Sequence, residues 1–281
     1  MRVVSLLPAA TEIVAALGAT AWLVGVSHEC DWPPDVRTLP RVTRSSLDAS
    51  LSSAEIDGRM AAAKKRGETP VTIDRDTLAR LAPDVILGQA VCDVCAVGES
   101  QLAAVIPHIP GRPRVVTLHA HDLDGVWSDI ARVGDALGLT GEAEELVAGL
   151  RYRLRHIPTP HAQRPRVLVV EWVDPPYVAG HWVPEMVAAA GGVDVGAVRG
   201  DRSVTRTWME LRALAPDVVV MALCGFDVPR ARRELAAVTD RDARALLAAA
   251  RVEFLDGNAY TSRPGPRLVE GAQILAQLIG G

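Results

Sequence analysis

The chain has 281 residues, with 49% hydrophobic and 23% charged side chains, a formal charge of −4 and a pI near 6.0. This is a globular composition at the size where one core begins to divide into two. It argues against a nucleic-acid footprint, since no basic run exceeds the "KKR" of Lys64–Arg66, and against a membrane span, since no apolar stretch approaches ~20 residues.

Arg2–Leu7 predicts a strand, and "PAATEIVAALG" the amphipathic helix after it. Glu12 interrupts what would otherwise resemble the apolar core of a signal peptide, so this stretch reads as the first β-α unit. As written the chain is expected in the cytoplasm, or outside it if an export signal is missing from this sequence. Trp22–Ser27, Asp84–Gln89 and Arg114–Leu118 follow as strands, each a short run rich in β-branched or other apolar residues. Asp122–Ile157 is polar and helical nearly throughout. One helix runs to about Gly138, and a second starts at the cap Thr140 with acids early and arginines late, matching the helix dipole, before Pro158 and Pro160 end it. Arg166–Glu171, Asp217–Leu223 and Val252–Asp256 are the later strands.

Strands alternating with helical patterns predict a parallel α/β fold. "RLAPDVILG" (Arg80–Gly88) returns as "ALAPDVVVM" (Ala213–Met221), which predicts two lobes of similar topology. The expected division is residues 1–120 as an N-terminal lobe, 121–160 as connecting helices and 161–281 as a C-terminal lobe.

Ligands of open parallel sheets bind beyond the carboxyl ends of strands. The unusual residues collect there: "SHECDWP" (Ser27–Pro33), "AVCDVCAVGES" (Ala90–Ser100), "EWVDPPYVAGHW" (Glu171–Trp182), "CGFD" (Cys224–Asp227) and "DGNAYTSRPGP" (Asp256–Pro266). Two exits come from the first lobe and three from the second, and their convergence predicts an interlobe cleft. Only 4% of the chain is aromatic, yet Trp32, Trp172, Tyr177, Trp182 and Tyr260 all fall at these exits. Broad aromatic faces suit a large, flat, partly apolar ligand. His28, Glu29, His181 and Arg263 are the polar residues placed to meet its substituents. Against this, a tryptophan at a strand end often just fills the edge of a core.

The four cysteines, Cys30, Cys92, Cys95 and Cys224, read as thiols or ligands rather than structural disulfides. The Cys92–Cys95 pair has several readings. A redox dithiol needs a helix start closer than "AVGES" allows. A zinc site would draw Cys30, His28, His181 or Cys224 from distant segments. Small polarizable side chains beneath a pocket, or soft ligands near a corrin or haem-like metal, are the others. GxGxxG, Walker A, GxSxG and HExxH motifs are all absent. "TWME" (Thr207–Glu210) matches a capping box.

"RVVSLLPAATEIVAALGA", "LAPDVILGQ", the central helix and "LAPDVVVM" resemble the substrate-binding proteins of ABC importers for cobalamin and iron–siderophores. "SHECDWP", "CDVCAV", "DPPYVAGHWVPEMVAAAGG" and "GNAYTSRPGPRLVEG" are similar to the subgroup usually described as cobalamin-binding. The resemblance covers nearly the whole chain. It implies two Rossmann-like lobes with parallel sheets joined by one long interdomain helix, the ligand held between them, and no catalysis. It also implies a carboxylate on each lobe that docks onto an importer permease, at Glu99 and Glu210. The expectation is a monomer with no obligatory cofactor that binds a cobalamin-like corrinoid, serving an importer or acting as a cytoplasmic relative. An iron–siderophore or haem in the same cleft is the alternative ligand. A thiol- or metal-dependent enzyme using Cys30, Cys92, Cys95 and His28 is the alternative from another class.

Overall fold

The computed structural model describes residues 1–48, 50–89, 99–159 and 164–280. Two compact units emerge: Met1–Leu51, Gly58–Ala120 and Asp124–Gly149 form the first, and Ser52–Asp57, His121–Leu123 and Leu150–Gly281 the second.

In the first unit, β1 (Val3–Ser5), β2 (Leu23–Val26), β5 (Val85–Gln89) and β6 (Arg114–Leu118) form a parallel sheet of order β2-β1-β5-β6, while β3 (Thr43–Ser45) and β4 (Val71–Ile73) pair antiparallel beside it. Parallel strands covered on both faces carry continuous apolar runs, and Val3, Val4, Ile86 and Leu87 are fully buried here. Val4, Leu6, Ile86, Leu78 and Leu102 meet in one core cluster.

The second unit is built on β7 (Arg166–Val173), which pairs parallel with β9 (Val193–Asp194) and with β11 (Val218–Met221), itself parallel to β12 (Arg251–Phe254). After a turn with a cis Asp174–Pro175 bond, β8 (Pro176–Val178) returns antiparallel on β7, and β10 (Val204–Thr205) closes that edge. The sheet order is β10-β8-β7-β11-β12. Leu168, Val170, Val219, Met221, Leu211 and Leu246 fill its core. The seven strands read from the sequence are all present, whereas β3, β4, β8, β9 and β10, each two or three residues long, were not foreseen.

The repeated "LAPD" has a structural cause. In each copy a helix ends at an alanine in the left-handed region, Ala82 (φ 38°) or Ala215 (φ 43°). The aspartate two residues on accepts from a backbone N–H at the entry of the neighbouring strand: Asp84 from Arg2, just before β1, and Asp217 from Arg166, the first residue of β7, both at 2.7 Å. The arginine side chain then donates to the exposed carbonyls of the helix end, Arg2 to Leu81 at 2.8 Å and Arg166 to Leu214 at 2.6 Å. Helix stop, strand start and strand register are thus fixed by the same two residues in each unit.

The connecting segment forms the helices Leu123–Leu137 and Thr140–Arg155, and the second carries the chain across the boundary between Gly149 and Leu150. Among the described residues, no helix is long and apolar enough to cross a membrane.

Candidate functional site

In the first unit the loop leaving β2 is held from within. Arg41 donates to the carbonyls of Ser27 (2.9 Å) and Cys30 (2.7 Å), and Arg37 to that of Asp31 (2.9 Å). Cys30 is buried, its sulfur 3.1 Å from the Thr11 hydroxyl, so it packs on the first helix, Pro8–Ala16, rather than facing outward. Thr43 Oγ1 accepts from the His28 N–H at 2.9 Å and lies 2.7 Å from His28 Nδ1. The other ring nitrogen, Nε2, lies 3.9 Å from the Glu29 carboxylate. Burial, followed by the Arg41 charge, holds the His28 pKa below its ordinary value. Trp32, just before a cis Trp32–Pro33 bond, is 45% exposed. Cys92 and Cys95 lie outside the described residues, and Glu99 is described only as the first residue of the helix Glu99–Val105.

In the second unit the aromatic residues singled out from sequence split by role. Trp172 packs on Phe226 with ring centres 5.1 Å apart and the planes tilted by 40°, the Arg230 guanidinium lies 3.9 Å over the Phe226 ring, and the Trp172 Nε1 donates to the Ser53 carbonyl at 3.2 Å. The Tyr177 hydroxyl donates to Asp57 at 3.3 Å, and Glu234 accepts from the Ser53 N–H at 2.9 Å. These contacts fasten the first turn of the helix Ser53–Lys65, whose start is also closed by Ser52 and Glu55 in a reciprocal cap that sequence reading overlooked. Trp182 is buried, with Nε1 donating to the Thr261 carbonyl at 2.8 Å, and Arg263 is buried on Asn258 at 2.8 Å. Tyr260 is half-buried beneath the Arg267 guanidinium, 4.8 Å away. Trp182 thus ties the loop after β8 to the segment after β12, Arg263 braces that segment internally, and little of either is left to touch a ligand.

Cys224 is half-buried, its backbone N–H on the Glu171 carbonyl at 2.9 Å. Among the described residues, no group of three or more His, Cys, Asp and Glu side chains is arranged to hold a metal. Glu210 closes the capping box read from sequence, accepting from the Thr207 N–H (2.7 Å) and hydroxyl (2.8 Å) on an exposed helix start.

His181 adopts φ 56°, a left-handed conformation taken by a few per cent of non-glycine residues, with Asn, Asp and His the types most often found there. Its N–H donates to the Asp201 carbonyl at 2.6 Å and its own carbonyl accepts from Gly200 at 2.9 Å. Gly180 beside it makes this possible, because a Cβ there would run into the backbone of Asp201, Arg202 and Ser203. The His181 ring lies edge-on to Trp182 at 5.4 Å and to His121 at 5.9 Å. Burial, then His121 and Arg202, lowers its pKa. His121 is the residue that sequence reading missed. It sits in "LHAHD" directly after the strand ending at Leu118, a sixth strand exit to which the same rule applied.

The family model for periplasmic binding proteins matches residues 3–251. No curated protein matches the chain. Among solved structures it is similar to a periplasmic haem-binding protein of Pseudomonas aeruginosa (TM-score 0.73, 24% identity, covering 98% of this chain and 91% of that one). The periplasmic haem-binding protein RhuT of Roseiflexus sp. RS-1 in apo form gives TM-score 0.69 at 23% identity, covering 99% and 97%. The periplasmic vitamin B12-binding protein BtuF of Vibrio cholerae gives 0.66 at 19%, covering 99% and 96%. These likenesses establish the fold, and the family match covers most of the sequence: the chain belongs to the periplasmic binding protein family.

Proposed function

We propose that the protein captures a cobalamin-like corrinoid reversibly, as the substrate-binding component of an ABC-type importer, and that it performs no chemistry on it. The observation that carries this reading is Trp32, a tryptophan 45% exposed at a strand exit in a chain poor in aromatics. An indole face of that size stacks on a flat macrocycle. His28 and Glu29, on the same loop, are the polar groups for the amide-bearing rim of a corrinoid. His28 presents the ring nitrogen Nε2 and Glu29 a carboxylate about half exposed. In the second unit His181 is the ligand-facing candidate, with Trp172, Tyr177, Trp182, Tyr260 and Arg263 shaping the loops around it. Glu99 and Glu210 remain the proposed docking carboxylates, and for Glu210 the capping contacts leave the residue exposed on the helix start.

A haem is the second reading, favoured by the solved relatives described as haem-binding. Parallel titrations with cyanocobalamin and hemin, followed by tryptophan quenching, separate the two. The corrinoid reading expects saturation by cyanocobalamin at micromolar concentration or below and weaker binding of hemin. The reverse order of affinities would transfer the assignment to haem, and no quenching by either would remove both.

A further inference from the structure

The stretch leading into β7 is positive without interruption. From Leu146 to Val170 the sequence holds five arginines, Arg151, Arg153, Arg155, Arg164 and Arg166, and no acidic residue, in a chain whose formal charge is −4. Two of these have structural work: Arg166 donates to the carbonyls of Leu214 (2.6 Å) and Ala215 (3.1 Å), and Arg153 to the Gln273 side chain at 3.2 Å. Arg155 and Arg164 instead line a cavity of about 550 Å³ in the second unit, together with Thr159 and the apolar side chains of Leu154, Ile157 and Ala188. That volume lies within the range of about 300–1,000 Å³ common for small-molecule sites. Among the described residues, no carboxylate lines it.

The last turns of two helices, Thr140–Arg155 and Val183–Ala189, border the cavity, and unsatisfied carbonyls there would repel an anion. Both ends are already closed by the chain itself. The His156 N–H donates to the carbonyls of Tyr152 (3.2 Å) and Arg153 (3.3 Å). At the other helix Gly191, at φ 89°, makes the turn that lets its N–H reach the Ala188 carbonyl (3.1 Å) and the Gly192 N–H that of Val187 (2.9 Å). The Gly192 carbonyl accepts from Arg164 at 2.5 Å. That single bond fixes the Arg164 guanidinium while leaving it further N–H donors, since the group carries five.

We propose that this cavity binds a small soluble phosphate monoester, its phosphate held by Arg155 and Arg164 with the Thr159 hydroxyl as a further donor, and its organic body against Leu154, Ile157 and Ala188. The choice of phosphate follows from charge and shape. A phosphate monoester carries a charge of about −1.5 to −2 near pH 7 and three acceptor oxygens, which match two guanidiniums and a hydroxyl. A carboxylate is planar, carries one charge and is satisfied by a single arginine fork, so the second guanidinium would add little. Arg164 precedes the first residue of β7, whereas the loops proposed for the corrinoid follow strand ends. The phosphate site therefore goes beyond corrinoid capture and does not depend on it.

The test titrates the full chain calorimetrically with phenyl phosphate and, separately, with benzoate as its carboxylate counterpart. One phenyl phosphate should bind per chain with a Kd below about 1 mM, and benzoate at least about tenfold more weakly. Arg155→Ala, at an exposed position, and Arg164→Gln, which keeps a donor for the Gly192 carbonyl, should each weaken phenyl phosphate about tenfold or more. Arg244→Ala, an exposed arginine on the helix Arg241–Ala249, should leave binding unchanged. Thermal unfolding of each variant establishes that it is folded. Absence of saturable binding, benzoate binding as tight as phenyl phosphate, or binding that survives both Arg155→Ala and Arg164→Gln would overturn the proposal. Cosedimentation with phosphatidic acid vesicles without binding of phenyl phosphate would also overturn it, in favour of a membrane surface. Cyanocobalamin titrated into the same samples reads the corrinoid assignment independently of the phosphate result.

Discussion

Asp194 offers the sharpest stability experiment in the molecule. It lies on β9, where Oδ1 accepts from the backbone N–H groups of Gly196 (2.8 Å) and Ala197 (3.0 Å), while Oδ2 is buried with no hydrogen-bond partner. Burial pushes its pKa up from 3.8 to about 6, against the lowering effect of the two N–H bonds. A carboxyl with a raised folded pKa binds its proton more tightly in the folded state. Its favourable contribution is therefore fully present below the unfolded value near 3.8 and is lost as the pH rises through about 6. Two units correspond to roughly 3 kcal/mol at most. Asp194→Asn keeps the Oδ1 acceptor and removes the charge, while leaving a buried amide that costs about 1 kcal/mol or more. The variant should match or fall slightly below the parent at pH 4 and exceed it by about 1–2 kcal/mol at pH 8. Urea unfolding of both proteins from pH 4 to 8 gives a difference curve from which all other titrations cancel. A difference that stays flat across that range would refute the assignment of Asp194 as a buried, charge-strained group.

Asp84→Ala and Asp217→Ala should each destabilise by about 1.5–3 kcal/mol in thermal or urea unfolding, since each leaves a strand-initiating N–H without its carboxylate. A loss confined to one of them would break the equivalence of the two "LAPD" copies. Thr207→Ala should cost about 1 kcal/mol through the lost cap, a change read from the unfolding midpoint. Trp182→Phe keeps the apolar ring but orphans the Thr261 carbonyl, so it should destabilise by about 1–2 kcal/mol and weaken ligand binding only modestly. A binding loss as large as that of a Trp32 variant would place Trp182 in contact with ligand instead.

The parallel α/β architecture was readable because buried parallel strands announce themselves as apolar runs with local stop signals, as at "LAPDVILG" and "LAPDVVVM". The short strands β8, β9 and β10 carry too few residues for any periodicity. The position of Trp172 and Tyr177 at a strand exit was also legible, but not their use: their polar atoms meet Ser53 and Asp57, about 120 residues away in sequence. A contact of that range leaves no local pattern. Cys30 stood out by its chemistry, with its role left open by the sequence, and is a buried neighbour of the Thr11 hydroxyl. His121 could have been found, since "LHAHD" obeys the same strand-exit rule as the loops that were noticed.

Equilibrium dialysis of cyanocobalamin against the parent protein and Trp32→Ala tests corrinoid capture most directly. With 45% of Trp32 exposed, roughly 100 Å² is available for burial, which at ~25 cal/mol per Å² corresponds to about 2–3 kcal/mol at most. The parent should bind one corrinoid per chain at micromolar concentration or below, and Trp32→Ala should bind at least about tenfold more weakly while unfolding at the same temperature. A folded parent that retains no cyanocobalamin at micromolar concentrations would contradict the account.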